Sequence, residues 1–126
     1  TVAICPGQLG QHAALWGMQN LSQWLAGERD EILHRRAAIT QQMPKLAARG
    51  WQLLGLGGYF AYMRHPFETS SADLAPQLVR DAGILCLPGT MFYPDDDPAG
   101  RRELRIAFAN LDAAGIGVLF DRLAQI

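Results

Sequence analysis

The stretch RRELRIAFANL (residues 101–111) decides the fold. Successive side chains of a strand point to opposite faces. Leu104, Ile106 and Phe108 therefore share one face and Arg105, Ala107 and Ala109 the other, and residues 103–109 are predicted as a strand. Arg105 is expected on the inner side of this otherwise apolar strand, with small alanines leaving room beside it. A guanidinium stays charged at every relevant pH and matches a carboxylate with two parallel hydrogen bonds, a geometry that lysine cannot copy. Arg105 is thus a candidate for holding a carboxylate, the plainer alternative being an arginine on a solvent-facing side of the strand. Beyond Asn110, a helix is predicted from about Asp112, with Ile116, Leu119, Phe120 and Leu123 on its apolar face.

Upstream, GTMFYPDDDPAGRR (89–102) reads as a polar loop rich in proline and glycine, preceded by a short apolar strand at residues 84–87. SSADLAPQLVRDAG (70–83) has the marks of a brief helix: Ser70-x-x-Asp73 at its start, apolar Leu74, Leu78 and Val79, and a Gly83 stop. WQLLGLGGYFAYMRH (51–65) reads as strand, turn, strand, over 51–54 and 59–64. Earlier still, apolar residues recur at helical period from about 8 to 26. A second helix follows over ERDEILHRRAAITQQ, acidic first and basic later, as the helix dipole favours. Gly27 is expected to separate the two. Pro44, lacking an N–H, is expected to kink the second helix or restart it before Gly50 closes the segment.

The order α, α, β, β, α, β, β, α implies an α+β fold: long N-terminal helices, then a small, mostly antiparallel sheet with helices packed on one face. The first fifty residues have little sheet to rest on and are expected to belong with a neighbouring domain or subunit. The opening TVAICP is extended, apolar and preceded by nothing it could pair with, so the chain is expected to begin mid-fold.

The 126 residues suit one domain, and 49% apolar residues, 18% charged residues and a net charge of −1 give no electrostatic footprint for nucleic acid or an anionic membrane. No apolar run approaches the roughly 20 residues that cross a bilayer, and the N-terminus lacks the basic flank and small-residue cleavage site of a secretory signal, so the protein is expected to be cytoplasmic. Cys5 and Cys86 have no metal-ligand spacing and are expected to be buried, reduced thiols. His12, His34 and His65 are scattered and imply no metal or base–nucleophile pair. Asp95, Asp96 and Asp97 lack the alternation of a calcium loop, leaving a solvated turn. In GLGGYF, Gly55, Gly57 and Gly58 open no helix, so a hairpin turn is the reading rather than a nucleotide loop. LPGTMFYP (87–94) is a second candidate, where backbone amides and Thr90 would face a ligand with Phe92 and Tyr93 packed nearby. Trp16 and Trp24 are spaced like a buried helix face or an interface stripe. There is a single lysine, Lys45, against ten arginines.

Taken together, ICPGQLGQHAALWGM, GGYFAYMRHP, LVRDAGILCLPGTMF and LRIAFANLD, in this order, resemble the C-terminal part of the class I/II pyridoxal-phosphate aminotransferases of fold type I, over essentially the whole chain. The resemblance implies that Arg105 binds the α-carboxylate of an amino acid or 2-oxo acid, and that Gly58 is a close backbone approach bordering the substrate. It implies a homodimer with active sites between subunits. Residues 1–50 would be linking helices from a large cofactor domain, and 51–126 the small C-terminal domain. The lysine that holds pyridoxal phosphate as a Schiff base, and the acidic partner of its pyridine nitrogen, would both precede these residues. Lys45 follows Pro44 in an amphipathic helix without the family's serine-rich surroundings, so the chain alone is expected to be inactive, with no catalytic, cofactor-binding or metal-binding residue of its own. A non-catalytic domain that binds a small carboxylate through Arg105 is the alternative, and a dimerisation module built on residues 8–49 is a third reading.

Overall fold

The computed structural model describes residues 7–126, so the expectations for the opening TVAICP, Cys5 included, lie outside the described residues. The described residues divide into two compact units, one ending at Glu31 and the other comprising Ile32–Ile126.

Helix α1 (Gln8–Asn20) ends at Asn20, whose side-chain amide turns back to donate to the Trp16 carbonyl at 2.8 Å, while the Leu21 amide caps the Gly17 carbonyl. Helix α2 (Ser22–Ala47) begins directly after Leu21. The break therefore falls at Leu21 and not at Gly27, which lies inside α2. An interior glycine costs a helix only about 1 kcal/mol relative to alanine, too little to end a helix of 26 residues. Pro44 also lies inside α2, and no new helix starts there: the Ala48 amide bonds the Pro44 carbonyl at 3.2 Å, and a turn at Gly50, with φ +86°, ends the segment. In α1 no residue is buried, and Trp16 and Trp24 are both more than half exposed, so neither forms a buried helix face among the described residues of this unit.

In the second unit, strand β1 (Gln52–Gly57) and strand β2 (Phe60–Arg64) form a hairpin with a bulge between Leu53 and Gly55. Gly58 takes φ +53° at the first position of the two-residue turn, where only glycine is unstrained. Helix α3 (Ser71–Ala82) starts on the Ser70 hydroxyl, which accepts from the Ala72 amide, and ends on Gly83 at φ +64°. Strand β3 is only Leu87–Pro88. The longer strand expected from Ile84 is not paired, because the Ile84 amide is used to cap α3 at the Leu78 carbonyl (3.0 Å). Within the predicted loop, two 3₁₀ turns occur at Gly89–Phe92 and Pro98–Arg102. Strand β4 is Glu103–Ala107, two residues shorter than expected, and helix α4 (Ala113–Leu123) starts on the Asp112 carboxylate, which accepts from the Gly115 amide at 2.7 Å. The sheet order is β1-β2-β4-β3, antiparallel throughout, which confirms the α+β class.

One face of the sheet carries the core. Ala61 and Met63 from β2, and Leu104 and Ile106 from β4 with Phe108 just beyond, are buried together with Ile39 and Leu46 of α2, Leu74 and Leu78 of α3, and Ile116, Phe120 and Leu123 of α4. Cys86 is buried and free, and burial pushes its thiol up to about 11. His65 is 1% exposed; its ring stacks on Phe67 (5.8 Å, 25°) and meets Trp51 edge-on at 6.3 Å, and neither ring nitrogen has a hydrogen-bond partner. Burial foremost, with the Arg102 charge adding to it against nearby backbone carbonyls, holds this imidazole below its usual range.

Two predictions follow from the packing. A Cβ on Gly89 would lie 2.6 Å from the Gly100 carbonyl oxygen, and one on Gly100 would lie 2.6 Å from the Gly89 carbonyl carbon. Gly89→Ala or Gly100→Ala should therefore destabilise the unit by about 1–3 kcal/mol by overpacking, while Gly57→Ala, which meets nothing within 4 Å, should stay within about 0.5 kcal/mol; urea denaturation measures both. The second concerns His65. The unfolded chain takes up a proton near pH 6.5 and the folded chain only at lower pH, so the stability contributed by neutral His65 is complete above 6.5. It should be lost as pH falls below 6.5, with a slope of at most about 1.4 kcal/mol per pH unit. His65→Phe should flatten that slope in denaturation curves taken between pH 7 and 5, and an unchanged slope would refute the assignment.

Candidate functional site

The face of the sheet away from the core is where polar chemistry collects. Pairing sets Tyr62 opposite Arg105, Phe60 opposite Ala107 and Arg64 opposite Glu103. Because alternate residues share a face, Phe60, Tyr62, Arg64, Glu103, Arg105 and Ala107 form one surface. Arg105 thus lies on the outer side of the strand and not on the inner side expected from its apolar neighbours: Leu104, Ile106 and Phe108 are 0–3% exposed and occupy the core side themselves.

Nor does the side chain stand in open water. Its guanidinium carbon lies 4.3 Å from the centroid of the Phe60 ring and 4.5 Å from that of Phe92. An arginine held over aromatic faces gains about 0.5–2 kcal/mol per contact, depending on how dry the site is, and its N–H groups stay available along the edge of the guanidinium plane. Among the described residues Arg105 has no hydrogen-bond or ion-pair partner. A partly buried cation without an acceptor can receive an anion, and the planar fork matches a carboxylate.

The second ring arrives from the segment LPGTMFYP. Leu87 pairs with Arg105 on the edge of the sheet, and the 3₁₀ turn that follows brings Phe92 over the guanidinium and edge-on to Tyr62 at 6.3 Å. Thr90 is not brought to Arg105. It lines a hollow of about 280 Å³ with Ser70, Arg101 and the exposed Asp95, Asp96 and Asp97. Among the described residues no group of three or more acidic, histidine or cysteine side chains could hold a metal. Gly58 sits in the hairpin turn leading into Phe60, and a Cβ there would meet nothing within 4 Å, so its backbone conformation, not crowding, requires glycine in this chain.

Beside Arg105 lies a network that the sequence reading did not single out. Glu103 is 4% exposed; its Oε1 accepts from Arg64 Nη2 at 3.2 Å and its Oε2 from the Tyr93 hydroxyl at 3.0 Å. Tyr62 Oη is buried without a hydrogen-bond partner; burial first, and then the nearby Glu103 carboxylate, push that phenol up. The hydrogen bond to Glu103 likewise raises the Tyr93 phenol. The signal available in sequence was the two-residue step from Glu103 to Arg105, which puts an acid and the candidate base on one face. The partners Arg64 and Tyr93 come from other elements.

The remaining candidates lie elsewhere. His12 and His34 are exposed on helices, and His65 is enclosed in the core. Lys45 donates to Asp121 at 2.8 Å, both side chains about half exposed. This amine is half-exposed and ion-paired with Asp121 of α4, an arrangement that does not fit one bound as an imine to pyridoxal phosphate.

With the geometry in hand, comparison with known proteins is specific. The sequence profile of "Aminotransferase class I and II" matches residues 5–123. No curated protein matches the chain. Solved structures share its fold. An aminotransferase from Mycobacterium tuberculosis is 25% identical, with a TM-score of 0.75 over 98% of this chain and 31% of its own. An alpha-aminoadipate aminotransferase from Thermus thermophilus is 22% identical, with a TM-score of 0.72 over 86% of this chain and 28% of its own. A Methanococcus jannaschii protein, described as similar in its active site to kynurenine aminotransferases, is 19% identical, with a TM-score of 0.72 over 99% of this chain and 32% of its own. The chain thus spans less than a third of the length of these relatives.

Proposed function

From a chain that belongs to the class I and II aminotransferases, of fold type I, we infer a carboxylate-holding part of a pyridoxal-phosphate-dependent transaminase, with Arg105 gripping the α-carboxylate of an amino acid or 2-oxo acid during amino-group transfer. The observation that carries this reading is the ring-clamped, acceptor-free guanidinium. Residues 51–126 are the small C-terminal domain in this proposal, and residues 1–50 the helices that lead to it from the cofactor domain. Gly58 borders the substrate through its backbone, and the intact enzyme is a cytoplasmic homodimer. No helix among the described residues is long and apolar enough to cross a membrane.

The cofactor, when bound, supplies an electron sink for the bond broken at the substrate's α-carbon. In this proposal its amine comes from residues outside this chain, because Lys45 is committed to Asp121, and residues 1–126 alone turn nothing over. What this chain contributes is orientation. Two parallel N–H bonds from Arg105 fix both oxygens of the carboxylate, which removes rotation about the bond to the α-carbon's acid group and sets the direction of the remaining bonds. Phe60 and Phe92 keep the guanidinium from swinging, so the grip is formed before substrate arrives, and orientation of this kind accounts for a large share of an enzyme's rate advantage. The rings also exclude water from two sides of the ion pair, which strengthens it.

A non-catalytic carboxylate-binding domain would use the same grip, and the Lys45–Asp121 pair favours that description for residues 1–126 taken alone. Both readings need Arg105. In the intact, cofactor-loaded protein, Arg105→Lys keeps the charge but loses the fork. It should raise KM for α-amino acids by about ten- to a hundredfold, as expected for losing a hydrogen bond to a charged group. Turnover should change less, because the bond is present in bound substrate and transition state alike. Steady-state kinetics with L-amino acids measure this, and an unchanged KM would refute the carboxylate reading.

A further inference from the structure

A buried carboxylate two residues from a binding arginine raises a physical problem. Glu103 and Arg105 share a strand face, and an acid so placed would by default pair with the arginine and close the site to an incoming carboxylate. In this chain it does not. Both oxygens of Glu103 are engaged elsewhere, Oε1 by Arg64 at 3.2 Å and Oε2 by Tyr93 at 3.0 Å, and Arg105 is left to the rings of Phe60 and Phe92.

The same bonds act on the loop. Residues 89–102 are rooted where Gly89 and Gly100 are buried against each other, but Met91 and the residues from Pro94 to Ala99 are exposed. The Tyr93 hydroxyl reaches from this exposed stretch back to the sheet. Tyr93 directly follows Phe92, so its bond to Glu103 fixes the place of the ring that covers Arg105.

We propose that Glu103, held by Arg64 and Tyr93, is a positioning residue for Arg105: it tethers Phe92 across the guanidinium and withholds its own carboxylate from it. This inference rests on the reading of Arg105 as the substrate's carboxylate anchor, but it can be tested without substrate. Nuclei lying over an aromatic face are shifted upfield by the ring current, so the side-chain resonances of Arg105 report the clamp directly.

The experiment uses the intact protein with labelled arginine and no ligand, the Arg105 signal being identified by its loss in Arg105→Lys. In the wild type that signal should be displaced upfield. Tyr93→Phe removes one hydroxyl and should abolish the share of the displacement that Phe92 contributes, leaving that of Phe60. Glu103→Leu should do the same, and Glu103→Gln, whose amide oxygen still accepts from Tyr93, should largely keep it. On the same proteins, KM for the L-amino acid that the wild type turns over fastest should rise about two- to tenfold in Tyr93→Phe, the range expected for losing one neutral hydrogen bond, with kcat changed less. Wild-type displacement in Tyr93→Phe overturns the proposal. So does equal loss in Glu103→Gln and Glu103→Leu, which marks a general loosening. If displacement is lost but KM is unchanged in both Tyr93→Phe and Arg105→Lys, the tether stands and the carboxylate reading falls.

Discussion

A guanidinium lies between two phenyl rings with no acceptor among the described residues, and the fold around it makes that arrangement possible. Strand β4 must be central, between β2 and β3, so that Phe60 can come from one side and the segment carrying Phe92 from the other. Its alternate residues must be apolar enough to anchor the strand: Leu104, Ile106 and Phe108 do this, packed beneath it with α3 and α4. The burial of one face thus holds the other face still. A cation fixed in this way has already lost its side-chain freedom and part of its hydration, and both losses make a later ion pair less costly to form.

Elements whose ends are set by local chemistry were legible in the sequence. Ser70 and Gly83 bound α3, Asp112 starts α4, and the glycines before Tyr59 make the hairpin, as the residues themselves indicate. What could not be read depends on partners distant in sequence. The break at Leu21 is announced by no glycine or proline of its own, while Gly27, the conspicuous breaker, is simply absorbed by a long helix. Ile84 has the residues of a strand, but its amide is drawn into a helix cap. Arg105 shows the limit most clearly. Alternation put it opposite Leu104, Ile106 and Phe108, yet alternation cannot say which face is inner; that is decided by which side the helices cover. The Glu103 network was invisible for a related reason, since Arg64 is 39 residues away.

The family and the geometry bear on different parts of the account. Membership rests on a match over residues 5–123; in the proposed reading the amine that holds the family's cofactor lies outside this chain. The geometry is a guanidinium clamped by two rings; in the proposed reading it grips the acid group that the substrates share, while walls contributed elsewhere can vary. The exposed apolar residues of α1 and early α2, among them Trp16, Met18 and Trp24, accord with helices that take part in a larger body.

The central claim is that the edge of the Arg105 guanidinium is where the substrate's acid group binds. A crystal structure of the intact protein with an amino acid joined to pyridoxal phosphate tests it most directly. The account predicts both carboxylate oxygens within hydrogen-bonding distance of Arg105, with Phe60 and Phe92 still over its faces. A carboxylate bound by another residue, with Arg105 stacked between its rings and touching no ligand, would contradict it.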